Sequence, residues 1–115
     1  MRAALEDVAD RADGRRIVAV LGGMAELGTD SAAYHREIGA LVVSLGIDVL
    51  IAVGDLGQHY TEATEGTVVT ATVADAGEAA LAARGMVEPG DVVLVKGSRA
   101  FGLEVVAAAL TEVPV

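Results

Sequence analysis

Four short runs of branched and small apolar residues, spaced along the chain with polar stretches between them, most constrain how it can fold. They are Ile17-Val-Ala-Val-Leu21, Val49-Leu-Ile-Ala-Val53, Thr67-Val-Val-Thr70 and Asp91-Val-Val-Leu-Val-Lys96. Rich in Val and Ile and without polar alternation, they read as strands of a mainly parallel sheet covered on both faces. Between the first pair, Tyr34, Ile38, Leu41, Val42 and Leu45 recur at helical spacing, with Asp30 or Ser31 as N-cap and Gly46 as stop. A polar helical piece is expected around Gln58–Glu65, and a helix over Asp75–Arg84 places Ala76, Ala79, Ala80 and Ala83 on one face. Arg2–Arg11 reads as an opening helix and Phe101–Leu110 as a closing one. Strands alternating with helices predict a three-layer α/β/α, Rossmann-like domain with a mainly parallel sheet.

One such domain fits 115 residues. Apolar residues make up 53% of the chain, yet there is one Phe, two Tyr and no Trp, so the core is aliphatic. Eight basic against seventeen acidic residues give a net charge of −9. A chain so acidic and so poor in aromatic rings lacks both the basic stripe and the stacking surface that nucleic acid requires. With no Cys, disulfides and thiolate metal sites are excluded. The amino terminus has no apolar signal-peptide core, and no apolar stretch approaches the length of a membrane span. A cytoplasmic protein without membrane insertion is expected.

Ligands of open parallel sheets sit beyond the carboxyl ends of the strands, where strand order reverses. That edge should carry Gly22–Gly28, Gly54–Gln58 and Lys96–Arg99. The segment Gly22-Gly-Met-Ala-Glu-Leu-Gly28 does not match the G-x-G-x-x-G dinucleotide pattern. Gly23 and Gly28 have the spacing of a Walker A loop, but Thr29-Asp30 follow where Lys and a hydroxyl residue are required. The chain therefore has no phosphate cradle of its own.

Lys96 is the single lysine beside seven arginines. In Val93-Leu-Val-Lys96-Gly97-Ser98-Arg99 a strand delivers an ammonium, a flexible glycine, a hydroxyl and a guanidinium to one turn before a helix. Together they can hold an anion, with Lys as a point charge and Arg as a bidentate donor. The alternative is a pair of solvated loop cations facing the many acids of this protein. His35 falls in the first turns of the helix after the first strand, where it could donate to a ligand or simply be a surface or capping residue. His59 has less to recommend it. Glu26 and Asp55 could each receive an ammonium group or be solvated surface acids. No His, Asp or Glu cluster has metal-ligand spacing, so no metal site is expected.

Three stretches together, Arg16-Ile-Val-Ala-Val-Leu-Gly-Gly-Met-Ala-Glu-Leu-Gly28, Ser31 with His35 and Glu37-Ile-Gly39, and Gly90-Asp-Val-Val-Leu-Val-Lys-Gly-Ser-Arg99, resemble the C-terminal domain of the Mur ligase family. The likeness is closest to the branch that joins D-alanyl-D-alanine to UDP-MurNAc-tripeptide in peptidoglycan synthesis, and it covers essentially the whole chain. Gly23, where the family commonly has a polar residue, and Ala100-Phe-Gly-Leu103 depart from its usual pattern.

The resemblance implies that residues 1–115 are the substrate-binding domain of a larger ATP-dependent ligase, with residues 1–13 as the opening helix after an interdomain hinge. It implies ATP and Mg in the whole enzyme, bound mainly by a central domain, and no cofactor in this chain alone. Its partners would be the N-terminal and central domains, D-Ala-D-Ala and ATP. Lys96, Gly97, Ser98 and Arg99 would face the dipeptide carboxylate or developing phosphate charge, with Gly22, Met24 and Glu26 as the opposite wall and His35 at its edge. The isolated domain would be inactive. The other readings are the C-terminal domain of another Mur ligase or of a folylpolyglutamate synthase, and a stand-alone Rossmann-like binding or scaffold module.

Overall fold

In a computed structural model the chain forms α1 (Arg2–Arg11), β1 (Ile17–Gly22), α2 (Ser31–Ser44), β2 (Val49–Val53), α3 (Gln58–Glu62), β3 (Val69–Val73), α4 (Ala76–Met86) and β4 (Val92–Lys96). The structure describes residues 1–23, 31–54, 58–62, 64, 66 and 68–96. The closing helix expected at Phe101–Leu110 lies outside them.

The four strands form one parallel sheet in the order β3-β2-β1-β4. β1 and β2 are its centre, and every residue in both is buried; the edge strands β3 and β4 are only partly covered, so the expected cover on both faces holds for the central pair. Alternate residues of these strands point to opposite layers. Ile17, Ala19, Leu21, Leu50 and Ala52 pack with Leu5 and Val8 of α1 and with Ile38 and Val42 of α2. Val18, Val20, Val49, Ile51 and Val53 pack against Ala76, Ala79, Ala80 and Ala83 of α4. Alanine at all four contact positions lets that helix lie close to the β-branched sheet face. The expected three-layer α/β/α arrangement is therefore present.

Local signals placed several boundaries. Asp75 caps α4 by accepting from the Glu78 N–H at 2.9 Å, and Gly46 takes φ +74° just past α2, a conformation that L side chains resist. Several boundaries differ from expectation: α4 runs on to Met86 rather than Arg84 and β4 begins at Val92 rather than Asp91, and for two others the hydrogen bonds give the cause. α3 ends at Glu62 rather than Glu65, because the backbone N–H and the hydroxyl of Thr64 both donate to the Thr61 carbonyl and close a turn. β3 begins at Val69 rather than Thr67, because the Val68 N–H is engaged by the Thr64 carbonyl while that of Val69 reaches Asp48. The strand then runs on to Val73, and its alternation of Thr with apolar residues suits a half-covered edge.

The amino edge of the sheet is pinned by charge. An Asp48 carboxylate oxygen accepts from the Ile17 N–H at 2.8 Å, and the Asp48 N–H donates back to the Ile17 carbonyl at 3.0 Å. Arg16 reaches Asp91 at 3.2 Å and Glu88 at 3.3 Å, and also donates to the Met86 carbonyl. The entries to β1, β2 and β4 are thereby held together, so that the opposite, carboxyl edge is presented by strands of fixed register. No helix among the described residues is long and apolar enough to cross a membrane.

Candidate functional site

Chain order sets where the carboxyl edge divides. From β1 the chain steps outward to β2 and β3, then crosses back so that β4 pairs with the other side of β1. Strand order thus reverses between β1 and β4, the position at which open parallel sheets place their ligands. Lys96 is the last residue of β4 and stands in register with Leu21, one position before Gly22 at the end of β1. Val93 and Val95 pack toward α4, whereas Val92 and Leu94 pack toward α1 and α2. By the pleat, Lys96 continues the second set and shares the face of Leu21. It is exposed, as a strongly hydrated ammonium should be.

Beneath this edge lies a polar contact that local patterning does not reveal. The Tyr60 hydroxyl donates to the Gly22 carbonyl at 2.9 Å, and the Met1 sulfur lies 3.4 Å from the Tyr60 hydroxyl oxygen. Although it belongs to a five-residue helix, Tyr60 is among the largest fully buried side chains. Burial, with a smaller electrostatic contribution from Tyr34, pushes its phenol far above the ordinary tyrosine range, so it remains a donor. Its ring packs on His35 with centroids 4.7 Å apart, and His35 in turn meets Tyr34 edge-on at 5.8 Å.

His35 is thus not a surface or capping residue. Its side chain is fully buried, since positions 35, 38 and 42 fall on one face of α2 and Ile38 and Val42 anchor that face in the core. Gly39 lies on α2 as well. A Cβ there would collide with the Tyr60 carbonyl oxygen, so the absence of a side chain allows α3 to seat directly on α2. At the surface of the same junction, His59 Nδ1 donates to Glu62 at 2.8 Å and Arg36 approaches Glu62 at 3.5 Å. The His59 hydrogen bond is the largest influence lowering the Glu62 pKa below its ordinary value, with Arg36 assisting.

Of the residues singled out in the sequence, the structure brings Gly22 and Lys96 to one edge, with His35 buried below it. Met24, Glu26, Asp55, Gly97, Ser98 and Arg99 lie outside the described residues. Sequence reasoning missed Tyr60; the available signal was one of only two tyrosines, set in an otherwise polar stretch. Among the described residues no group of three or more His, Asp or Glu is placed to hold a metal ion. Chemically, the edge offers an exposed ammonium beside the end of a rigid central strand. That suits binding and orienting an anionic group.

Comparison with known proteins gives a consistent picture. A family profile described as Mur ligase, glutamate ligase domain, matches residues 1–99. The UDP-N-acetylmuramoyl-tripeptide–D-alanyl-D-alanine ligase of Mycobacterium leprae is 43% identical over 103 residues, spanning 84% of this chain and 20% of that protein. The enzyme of the same name from Escherichia coli is 31% identical over 122 residues, spanning 97% of this chain and 24% of that protein. The chain therefore spans about a quarter or less of the length of these relatives. Among solved structures, MurF from Acinetobacter baumannii superposes with a TM-score of 0.71 at 24% identity, over 98% of this chain and 26% of that one. MurF ligase from Thermotoga maritima, in complex with ADP, gives 0.69 at 23% identity, over 94% of this chain and 25% of that one. At these identities the superpositions establish the fold.

Proposed function

The chain belongs to the Mur ligase, glutamate ligase domain family, and from that premise we propose that it is the carboxy-terminal substrate-binding domain of an ATP-dependent ligase joining D-alanyl-D-alanine to UDP-MurNAc-tripeptide. The observation that carries this reading to the site is the position of Lys96. The only lysine of an acidic chain stands exposed at the end of β4, beside the end of β1, where strand order reverses.

In the whole enzyme, ATP would phosphorylate the tripeptide carboxylate. The dipeptide amine would then attack the acyl carbon, forming the amide and releasing phosphate, with the amine proton passing to solvent or a base. This chain would bind and orient the dipeptide. Lys96 and Arg99 would face its carboxylate or the developing phosphate charge, Ser98 and Gly97 would complete that turn, and Gly22, Met24 and Glu26 would form the opposite wall. His35, being buried, would support that wall rather than touch substrate.

The segment after β1 lacks a Walker lysine, so ATP and Mg would be held mainly by preceding domains in the same polypeptide. Closure of this domain onto them would orient the amine and exclude water from the acyl phosphate. The isolated chain would be inert for lack of that nucleotide site.

The test is ligation by the full-length enzyme, assayed as phosphate release with UDP-MurNAc-tripeptide and D-Ala-D-Ala. Activity confined to the full-length protein and sharply reduced by Lys96→Ala is expected. Turnover by the isolated chain, or a normal rate with Lys96→Ala, would sink the corresponding part of the reading.

A further inference from the structure

The stretch Ser31, His35 and Glu37-Ile-Gly39 lies in α2, and no part of it is assigned chemistry in the proposed reaction. Two of its residues meet Tyr60. Gly39 leaves the space that lets α3 reach α2, His35 lies against the Tyr60 ring, and the phenol so placed donates to the Gly22 carbonyl at 2.9 Å. On the β4 side of β1 the described pairing stops at Leu21 with Lys96. Gly22 is the next residue, and among the described residues a hydrogen bond to its carbonyl comes from this side chain.

A phenol has one proton, and a carbonyl at 2.9 Å is a better acceptor than a thioether at 3.4 Å. Met1 therefore rests against the phenol oxygen without competing for its proton. The tyrosine nonetheless touches the amino end of α1 and the carboxyl end of β1 at once.

We propose that Tyr60 is a positioning residue of the ligase site: its hydroxyl fixes the Gly22 peptide, and so sets the end of β1 beside Lys96 at the switch in strand order. The inference rests on the ligase reading above and adds a residue to it. Tyr60 touches no substrate; it acts through Gly22. His35 and Gly39 act one step further back, holding Tyr60 in place. A buried carbonyl that loses a donor is left less well satisfied or turns toward water, and the second outcome reorients the end of β1.

Tyr60→Phe in the full-length enzyme removes the proton donor and keeps the ring on His35. The expected result is a rise in the KM for D-Ala-D-Ala of about five- to tenfold with kcat within about twofold, as for loss of ground-state positioning worth one hydrogen bond. Amide exchange at Gly22 and Gly23 should quicken by a similar factor. Val49→Ala, a core truncation in the cluster on the opposite face of the sheet, serves as the stability control and should lower Tm while leaving that KM unchanged. The proposal is overturned if Tyr60→Phe leaves the dipeptide KM at the wild-type value, or if Val49→Ala raises it equally. Lys96→Ala separates the two ideas. Normal turnover there removes Lys96 from the site whatever Tyr60→Phe does, whereas impaired Lys96→Ala beside an unaffected Tyr60→Phe removes only the positioning role.

Discussion

Lys96 of β4 and Leu21 of β1 are register partners at the carboxyl end of the sheet, and on their pairing depends which face of the molecule carries the one ammonium side chain. Being exposed, Lys96 contributes little to folding, and Lys96→Ala should change unfolding free energy by no more than about 0.5 kcal/mol. In the full-length enzyme the same change should reduce ligation by about a hundredfold, the order seen when a preorganised electrostatic contact is removed. Paired denaturation and kinetic measurements check this, and a stability loss that accounts for the lost activity would contradict it.

Gly39 should tolerate no side chain. Its Cβ would meet the Tyr60 backbone, not the movable tip of a side chain, so α3 must be displaced from α2. Gly39→Ala, which in an open helix would be stabilising, should instead cost roughly 3 kcal/mol through overpacking. Urea unfolding of the chain measures this; a stability equal to or above the parent would show that α3 can yield without loss.

At the opposite edge, Asp48→Ala should strand the buried Ile17 N–H and cost about 1–3 kcal/mol, whereas Asp48→Asn retains an acceptor oxygen and should lose less. Equal denaturant midpoints for the two variants would show that the carboxylate oxygen is not what holds the entry to β1.

The α2–α3 surface contact should respond to acid. The pKa of Glu62 is held below its ordinary 4.5, first by the His59 hydrogen bond and then by Arg36. A carboxyl lowered in the folded state contributes its stabilisation above its unfolded pKa and loses it as pH falls through the folded value. The contribution should therefore be present at neutral pH and disappear in the acid range below 4.5. His59→Ala should move the Glu62 midpoint upward in a carboxyl NMR titration, and an unmoved midpoint would assign the lowering to Arg36 instead.

Much of the fold was legible because each element reports its own burial. Ile17 to Leu21 and Val49 to Val53 lack polar residues and are the buried central strands. Asp75 and Gly46 mark helix ends through hydrogen-bonding and φ preferences that act within a few residues. The boundary of β3 was displaced because Val68, apolar and β-branched like a strand residue, is held by the bond to Thr64 in a turn that passes through Gly66 at φ +80°. Lys96 was found at the edge because a single charged residue closing an apolar strand is visible one residue at a time.

His35 and Tyr60 were not legible in that way. A histidine at the start of a helix and a tyrosine in a polar segment both suggest surface, and both are fully buried. What buries them is the approach of α3 to α2 across Gly39, which brings residues 25 positions apart in sequence into ring contact. The amino-acid sequence by itself determined, among the described residues, where strands alternate with helices and that a lone lysine ends one strand, since these follow from local periodicity and from the cost of leaving apolar surface in water. Only the tertiary structure decided that β4 returns beside β1, that Lys96 is thereby set against Leu21, and that Tyr60 reaches the Gly22 carbonyl. Strand order and distant hydrogen bonds are fixed by which packed surfaces fit one another, and that is a property of the assembled layers and of no single stretch of chain.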